Sequence, residues 1–99
     1  MSNPAYFIFD VAIHNPEGMQ PYRAKVAVIL KAYHGTLLVG GGTIDAREGT
    51  PPQGSIVVLR FDSMEAARAW YESPEYQSII GYRHAAAQTD AFIVEGISM

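Results

Sequence analysis

The chain has 99 residues, which is enough for one domain and too few for two. Apolar residues make up 48% and charged residues 17%, and this balance excludes a disordered chain. A formal net charge of −3 argues against nucleic acid as a partner, and the lack of cysteine excludes disulfides and thiolate metal sites. We therefore expect a single domain that spans residues 1–99.

The apolar runs of the sequence are all much shorter than the roughly 20 residues that a membrane-spanning helix needs. The first residues also lack the basic segment and apolar run of a signal peptide. We therefore expect a cytoplasmic protein with no membrane partner.

The first third of the chain predicts a strand and then a helix. Residues 5–13 are rich in aromatic and β-branched side chains, which favour a strand. Asn15 followed by proline is typical of a helix start, but a second proline a few residues later is disfavoured inside a helix. We therefore expect a short turn over residues 16–19 and the main helix over residues 21–33, with Gly35 as its left-handed cap.

The middle of the chain predicts two strands joined by irregular segments. Residues 36–39 have a strand pattern, and the glycines at 40–42 indicate a bend. Residues 43–48 are expected to form a short edge extension, and the proline- and glycine-containing residues 49–54 a loop. Residues 56–61 are mostly apolar and β-branched and predict the third strand.

The last third predicts a broken helix and a final strand. Ser63 is a favourable cap for a second helix, and Ser73 followed by proline restarts a third one. Residues 89–95 predict the fourth strand, closed by Gly96. One side of the third helix carries Tyr76, Ile79, Ile80, Arg83 and Ala87.

The order strand, helix, strand, strand, broken helix, strand indicates an α+β fold of the ferredoxin-like βαββαβ type. Right-handed crossovers then place the strands in the antiparallel order 4-1-3-2. Helices cover one face of such a sheet, and the other face would expose several apolar side chains. These are Tyr6, Ile8, Ile56, Val58 and Ile93. A second copy of the chain is the expected cover, which makes a homodimer the expected state.

Two runs, residues 57–61 and 65–77, resemble the hallmark of the 1330 family of domains of unknown function. The second run contains Trp70-Tyr71, Ser73 and Glu75-Tyr76, which make the resemblance specific. The resemblance covers nearly the whole chain. Its smaller matches lie at Asp10, Pro16-Glu17, Tyr22-Arg23, Tyr33-His34-Gly35 and Val94-Glu95-Gly96.

This resemblance implies the dimeric α/β-barrel superfamily, in which two ferredoxin-like units pack sheet against sheet. The superfamily includes cofactor-free monooxygenases, lactone isomerases and haem proteins, so the fold does not determine the function. The chain departs from the family at Gly40, where relatives often carry an arginine, and at Pro21, which interrupts a helix that is usually continuous. The first departure weakens an anion-binding role at that position.

Asp10 lies near the end of the first strand and is the strongest candidate for a catalytic group. A carboxylate at the mouth of an apolar cavity can act as a general base, and His14 in the following loop is placed to assist it. The structural alternative is that Asp10 accepts hydrogen bonds from backbone amides at the helix start, or pairs with Arg23. His14 is alternatively a solvated loop residue.

Three residues are candidates for substrate binding. Arg23, at the start of the main helix, can bind a carboxylate through two parallel N–H groups, and Tyr22 lies beside it. Gly40, at the end of the second strand, lies at the same end of the sheet. The alternatives are a surface charge for Arg23, a core or interface position for Tyr22 and a plain bend for Gly40.

The remaining charged residues and the histidines indicate structure rather than chemistry. Arg60 and Glu95 end neighbouring antiparallel strands and are expected to form an ion pair beside Tyr6. The three histidines lie on separate elements without the spacing of metal ligands, so we expect no metal and no cofactor.

Three functions fit these observations. The preferred one is a small dimeric α/β-barrel protein that binds a small organic molecule in the barrel pocket. The first alternative is a cofactor-independent isomerase or monooxygenase with Asp10 as general base. The second is a purely structural dimerisation module. The sequence does not decide whether the protein is an enzyme.

Overall fold

A computed structural model describes residues 3–98 of the chain. Residues 1, 2 and 99, which include the first residues used to argue against a signal peptide, lie outside this described part. None of the helices within residues 3–98 has both the length and the apolar character of a membrane span. The elements are β1 (Ala5–Ile13), α1 (Gln20–Ala32), β2 (Thr36–Gly40), β3 (Ser55–Phe61), α2 (Met64–Glu72), α3 (Pro74–Ala86) and β4 (Ala87–Glu95), with a 3-10 turn at Glu17–Met19 before α1.

The four strands form one antiparallel sheet in the order β2-β3-β1-β4. This confirms the ferredoxin-like fold and the predicted strand order, which is the same order given from the opposite edge. The helices cover one face of the sheet, and the side chains of Phe7 and Phe9 in β1 lie on that face. 

In the structure both rings are buried and lie perpendicular to the indole of Trp70 in α2. The alternate side chains of β1, on the other face, are only half-buried.

Trp70 is the centre of the core. It is fully buried, and the ring centroids of Phe7, Phe61 and Tyr76 lie 5.6, 5.6 and 4.1 Å from its own. Aromatic pairs of this kind contribute about 0.5–1.5 kcal/mol each beyond the burial of their area. Because these rings come from β1, β3 and α3, Trp70 fixes α2 and α3 to the two central strands.

Both predicted serine caps are present. Ser63 Oγ accepts a hydrogen bond from the Ala66 N–H at 3.0 Å, and Ser73 Oγ accepts one from the Tyr76 N–H at 3.1 Å. The Ser73 hydroxyl also donates to the Trp70 carbonyl at 2.8 Å. One side chain therefore ends α2 and starts α3, so the two helices follow each other without a loop.

The start of α1 agrees with the prediction, and its end does not. Asn15 Oδ1 accepts a hydrogen bond from the Gly18 N–H at 3.1 Å and starts the 3-10 turn. The left-handed residue after the helix is His34, with φ of 62°, and not Gly35. Gly35 is required for a different reason, because a Cβ atom there would overlap the side chain of Leu30 and the ring of Phe61.

Two local predictions are wrong. Residues 43–48 form no edge strand and belong to an irregular loop between β2 and β3. Arg60 forms its ion pair with Asp62, at 3.1 Å, and not with Glu95. The register explains this, because Glu95 lies opposite Ala5 on the helix side of the sheet whereas Arg60 lies on the other side.

The open face of the sheet, meaning the face without helices, differs from the prediction at one position. Ile93 lies opposite Phe7 and therefore faces the helices. Its neighbours Phe92 and Val94 lie on the open face instead and are 56% and 44% exposed. The other apolar side chains of the open face are Tyr6, Ile8, Val39, Ile56 and Val58.

Candidate functional site

A cavity of about 670 Å³ lies between α1 and the helix side of the sheet. It exists because α1 packs on α3 rather than on the sheet, so that Leu30 is its only buried residue. The central strands contribute Phe9, Val57 and Leu59 to the lining, and α1 contributes Val26 and Leu30. The walls are mostly apolar, as they are in typical binding sites for small molecules.

Arg83 of α3 lines this cavity although it is only 3% exposed. Its Cζ lies 5.5 Å from the ring centroid of Phe9 and 5.6 Å from that of Tyr22. Its Nη2 is 3.4 Å from the hydroxyl of Tyr76, which is long for a hydrogen bond. Within residues 3–98 no carboxylate pairs with Arg83, since the two ion pairs formed there involve other arginines.

Two buried N–H groups of the cavity lining, Trp70 Nε1 and Arg83 Nε, have no acceptor among the described residues. A buried donor without a partner costs about 1–3 kcal/mol and is rare in native proteins. A third unpaired atom, Thr89 Oγ1, belongs to a residue outside the lining. Two residues of the cavity lining thus each keep a buried N–H group without an acceptor in the described residues.

The hydroxyl oxygens of Tyr22 and Tyr76 lie 2.7 Å apart and join α1 to α3. Burial, reinforced by the neighbouring Tyr76, raises the pKa of Tyr22 well above its ordinary value. Burial acts to lower the pKa of Arg83, but the tyrosine hydroxyls act in the other direction and the net pKa is raised. The site thus combines a neutral Tyr22 with a permanent positive charge on Arg83.

Three of the five residues predicted for the site line the cavity: Tyr22, Arg23 and Gly40. Tyr22 is half-buried, whereas Arg23 and Gly40 are exposed at the rim, meaning the solvent-exposed part of the lining. A Cβ atom at Gly40 would lie 3.4 Å from Leu37, which is an ordinary contact, so the position does not require glycine. The roles of these residues in substrate binding stay predictions.

The two predicted catalytic residues lie outside the cavity lining. Asp10 is on the open face, and its carboxylate oxygens accept hydrogen bonds from the backbone N–H groups of Gln53 (3.1 Å) and Gly54 (2.8 Å). These amides precede β3 and do not belong to the helix start. His14 is exposed after β1, and its backbone N–H donates to the Ala86 carbonyl. The structure therefore does not bring either residue to the cavity. Their catalytic roles stay predictions.

Asp10 holds the end of the loop over residues 41–54, which connects β2 to β3. Gly41 and Ser55, at the two ends of this loop, line the cavity. Gly54 passes so close to the backbone of β1 that no side chain fits there. Asp10 therefore positions the rim of the cavity from the opposite side of the sheet.

Sequence reasoning assigned no functional role to Arg83 or to Trp70. Arg83 shares its side of α3 with Tyr76, Ile79 and Ile80, which are all buried. A charged residue within such an apolar stripe is the available signal, because arginine is rarely buried without a partner. Trp70 offers no comparable signal, since a tryptophan at this spacing is equally typical of a core.

Comparisons with known proteins identify the family and the fold. The family model described as "Domain of unknown function (DUF1330)" matches residues 4–97, and no curated protein matches the chain. The protein of unknown function RPA0582 from Rhodopseudomonas palustris has a TM-score of 0.77 at 13% identity, over 100% of this chain and 86% of that one. SnoaB, a cofactor-independent oxygenase from Streptomyces nogalater, has a TM-score of 0.68 at 14% identity, over 99% of this chain and 97% of that one. Such low identities establish the fold alone.

The role of Asp10 in holding the loop can be tested with Asp10→Asn, which leaves one side-chain oxygen to serve two amides. We expect the free energy of unfolding to fall by about 1–3 kcal/mol. The matched control is Asp90→Asn, because Asp90 lies directly opposite Asp10 on β4 and its removal takes away a like charge without affecting the loop. The control should be neutral or slightly stabilising.

Urea unfolding at a fixed protein concentration gives these free energies, and amide hydrogen exchange at Gln53 and Gly54 locates the effect. Unchanged stability and unchanged exchange in Asp10→Asn would contradict the positioning role.

Proposed function

Because the chain belongs to the DUF1330 family, whose description assigns no function, we propose a function from its cavity: the protein binds a small organic molecule between α1 and the sheet. The observation that carries this proposal is an apolar cavity lined by two buried donors that have no acceptor in the described residues. Apolar walls supply affinity and a few polar groups fix the orientation of the ligand, as in most sites of this kind.

The size of the cavity supports this proposal. Its volume of about 670 Å³ lies within the range of about 300–1,000 Å³ that is typical of ligand pockets. A ligand would cover Val26, Leu37 and Val57, and each Å² of apolar surface removed from water contributes about 25 cal/mol. The cavity lies within one chain, so binding does not require a pocket between two copies.

The proposed homodimer uses the open face. Phe92, Val94 and Val39 are exposed there, and apolar patches of this kind on monomers usually mark contact sites. The same patch on a second copy can cover it across a two-fold axis. In such a dimeric α/β barrel the two sheets face each other, and the cavity of each copy lies on the outer side of its own sheet.

A second candidate function is cofactor-independent oxygenation. It is favoured by Arg83, a buried cation that would stabilise a substrate oxyanion, since donors placed where negative charge develops contribute strongly to catalysis. The structural neighbour SnoaB is described as a cofactor-independent oxygenase. An isomerase or oxygenase with Asp10 as its base is not favoured, because backbone amides engage both oxygens of that carboxylate.

The neutral apolar probe N-phenyl-1-naphthylamine, whose fluorescence rises in apolar surroundings, should bind in the cavity. Val26→Trp places a large ring inside the cavity and should weaken binding by about tenfold or more, or about 1.4 kcal/mol. Val28→Trp is the matched control, because Val28 lies on the same helix, outside the cavity lining, and is 72% exposed. Fluorescence titration gives both dissociation constants. Equal weakening by the two variants, or none by either, would remove the cavity as the binding site.

The homodimer can be tested with Phe92→Glu, which places a charge in the proposed interface. We expect the dimer dissociation constant to rise by about a hundredfold or more, because the carboxylate would be buried without a partner. Val28→Glu, on the exposed side of α1, should leave it unchanged. Sedimentation velocity over the micromolar range measures both. A parent protein that sediments as a single copy throughout that range would rule out the homodimer and leave the cavity unaffected.

The oxygenase candidate can be tested with a dihydroxynaphthalene, which ionises readily and fits the cavity by size. We expect the parent protein to accelerate oxygen uptake, and Arg83→Met to reduce the rate by about a hundredfold. Arg68→Met is the control, because Arg68 is exposed on α2 and does not line the cavity. An oxygen electrode gives the rates. Identical uptake with and without the parent protein would eliminate this candidate and leave ligand binding standing.

A further inference from the structure

We infer that the cavity takes a monocarboxylate with an apolar body, whose carboxylate pairs with the guanidinium group of Arg83. This inference rests on the proposed ligand-binding function and adds the charge and chemical class of the ligand. It is supported by the charge of the lining, by the lack of a counter-ion for Arg83 and by the geometry of its free N–H groups.

The lining of the cavity is positively charged although the chain as a whole is acidic. Three of the seven Lys and Arg residues of the chain, Arg23, Lys31 and Arg83, line it. None of the ten Asp and Glu residues is among its lining residues in the part of the chain that the structure describes. A concave site with charges of one sign concentrates ligands of the opposite sign. The cavity therefore favours anions.

Arg83 has no counter-ion. A buried charge without compensation is strongly unfavourable, which is why buried guanidinium groups are normally paired. Its compensation here consists of the ring faces of Phe9 and Tyr22 and a long contact to the Tyr76 hydroxyl. Contacts between a cation and an aromatic ring offset only part of the desolvation of the cation. A ligand anion would supply the remainder.

The free edge of Arg83 fits a carboxylate. Its Nε has no partner in the described residues, and its Nη2 has only the 3.4 Å contact. These two atoms carry parallel N–H groups, which match the two oxygens of a carboxylate. The ring of Phe9 lies between apolar core and cation, since it contacts both Trp70 and the guanidinium group of Arg83.

The arrangement favours one anionic group rather than two. Arg83 is the only buried cation in the lining formed by the described residues, whereas Arg23 and Lys31 are exposed at the rim. A second charge beside Val26 and Val57 would lose its hydration without gaining a partner. The two rim cations attract the anion on its way in, an effect that added salt screens. The rest of the ligand is therefore apolar.

Naphthalene-2-carboxylate and its uncharged amide form a matched pair of probes with the same shape. Competition of each against bound N-phenyl-1-naphthylamine gives their dissociation constants. We expect the carboxylate to bind the parent protein about tenfold more tightly than the amide, and this preference to shrink to about twofold or less in Arg83→Met. Arg68→Met removes a charge outside the cavity and should keep the full preference.

A second measurement observes Arg83 directly. In heteronuclear NMR its Nε–H resonance should shift with the carboxylate and not with the amide. If Arg83→Met does not fold, Arg83→Lys replaces it as the test. This variant keeps the charge without the parallel N–H pair and should reduce the preference for the carboxylate over the amide by about threefold or more. Equal affinity of the two probes, or an unmoved resonance, would overturn the monocarboxylate and leave the proposed cavity function standing. Failure of the neutral fluorescent probe to bind would contradict both the monocarboxylate ligand and the proposed cavity function.

Discussion

The contact between α1 and α3 determines what the rest of the structure can do. The hydroxyls of Tyr22 and Tyr76 join the two helices, and α3 is fixed to the sheet through the aromatic core around Trp70. Because α3 holds α1, α1 does not collapse onto the sheet, and a space remains beneath it. The apolar walls of this space pack less closely than a continuous core would, which lowers the stability of the fold. The contact between α1 and α3 therefore keeps open a volume that another molecule can fill, although a closed core would be more stable.

Arg83 shows the same compromise at the level of one side chain. It occupies the stripe of α3 that otherwise builds the core, where an apolar residue of similar length would need no compensation. A residue that breaks a local rule without a gain inside the fold is typical of a functional site. The unpartnered indole N–H of Trp70 belongs to the same pattern. What the two N–H groups share is that neither has an acceptor in the described residues.

Much of the fold could be predicted because local preferences agree with the whole: serine caps, strand alternation and right-handed crossovers all indicate the same topology. The site could not. Alternation separates the two faces of a strand but does not tell which face adjoins a cavity: Asp10 lies on the open face, whereas the cavity under α1 lies on the other one. The space under α1 depends on the contact of Tyr22 with Tyr76, which lie far apart in the chain. No local pattern encodes that contact, whereas the position of Arg83 in the apolar stripe of α3 was a signal that the sequence offered.

Gly40 bears on how members of this family can diverge. It contributes to the cavity wall from β2, and its backbone accepts a larger residue because only ordinary contact with Leu37 results. An arginine in its place would add a cation near the entrance while the apolar walls stayed the same. If an arginine replaced Gly40 on β2 and an apolar residue replaced Arg83 on α3, the cation would lie at the entrance of the cavity and no longer in its interior. A single scaffold could in this way admit either end of an amphiphilic molecule first, and related proteins could acquire different ligands without any change in their topology.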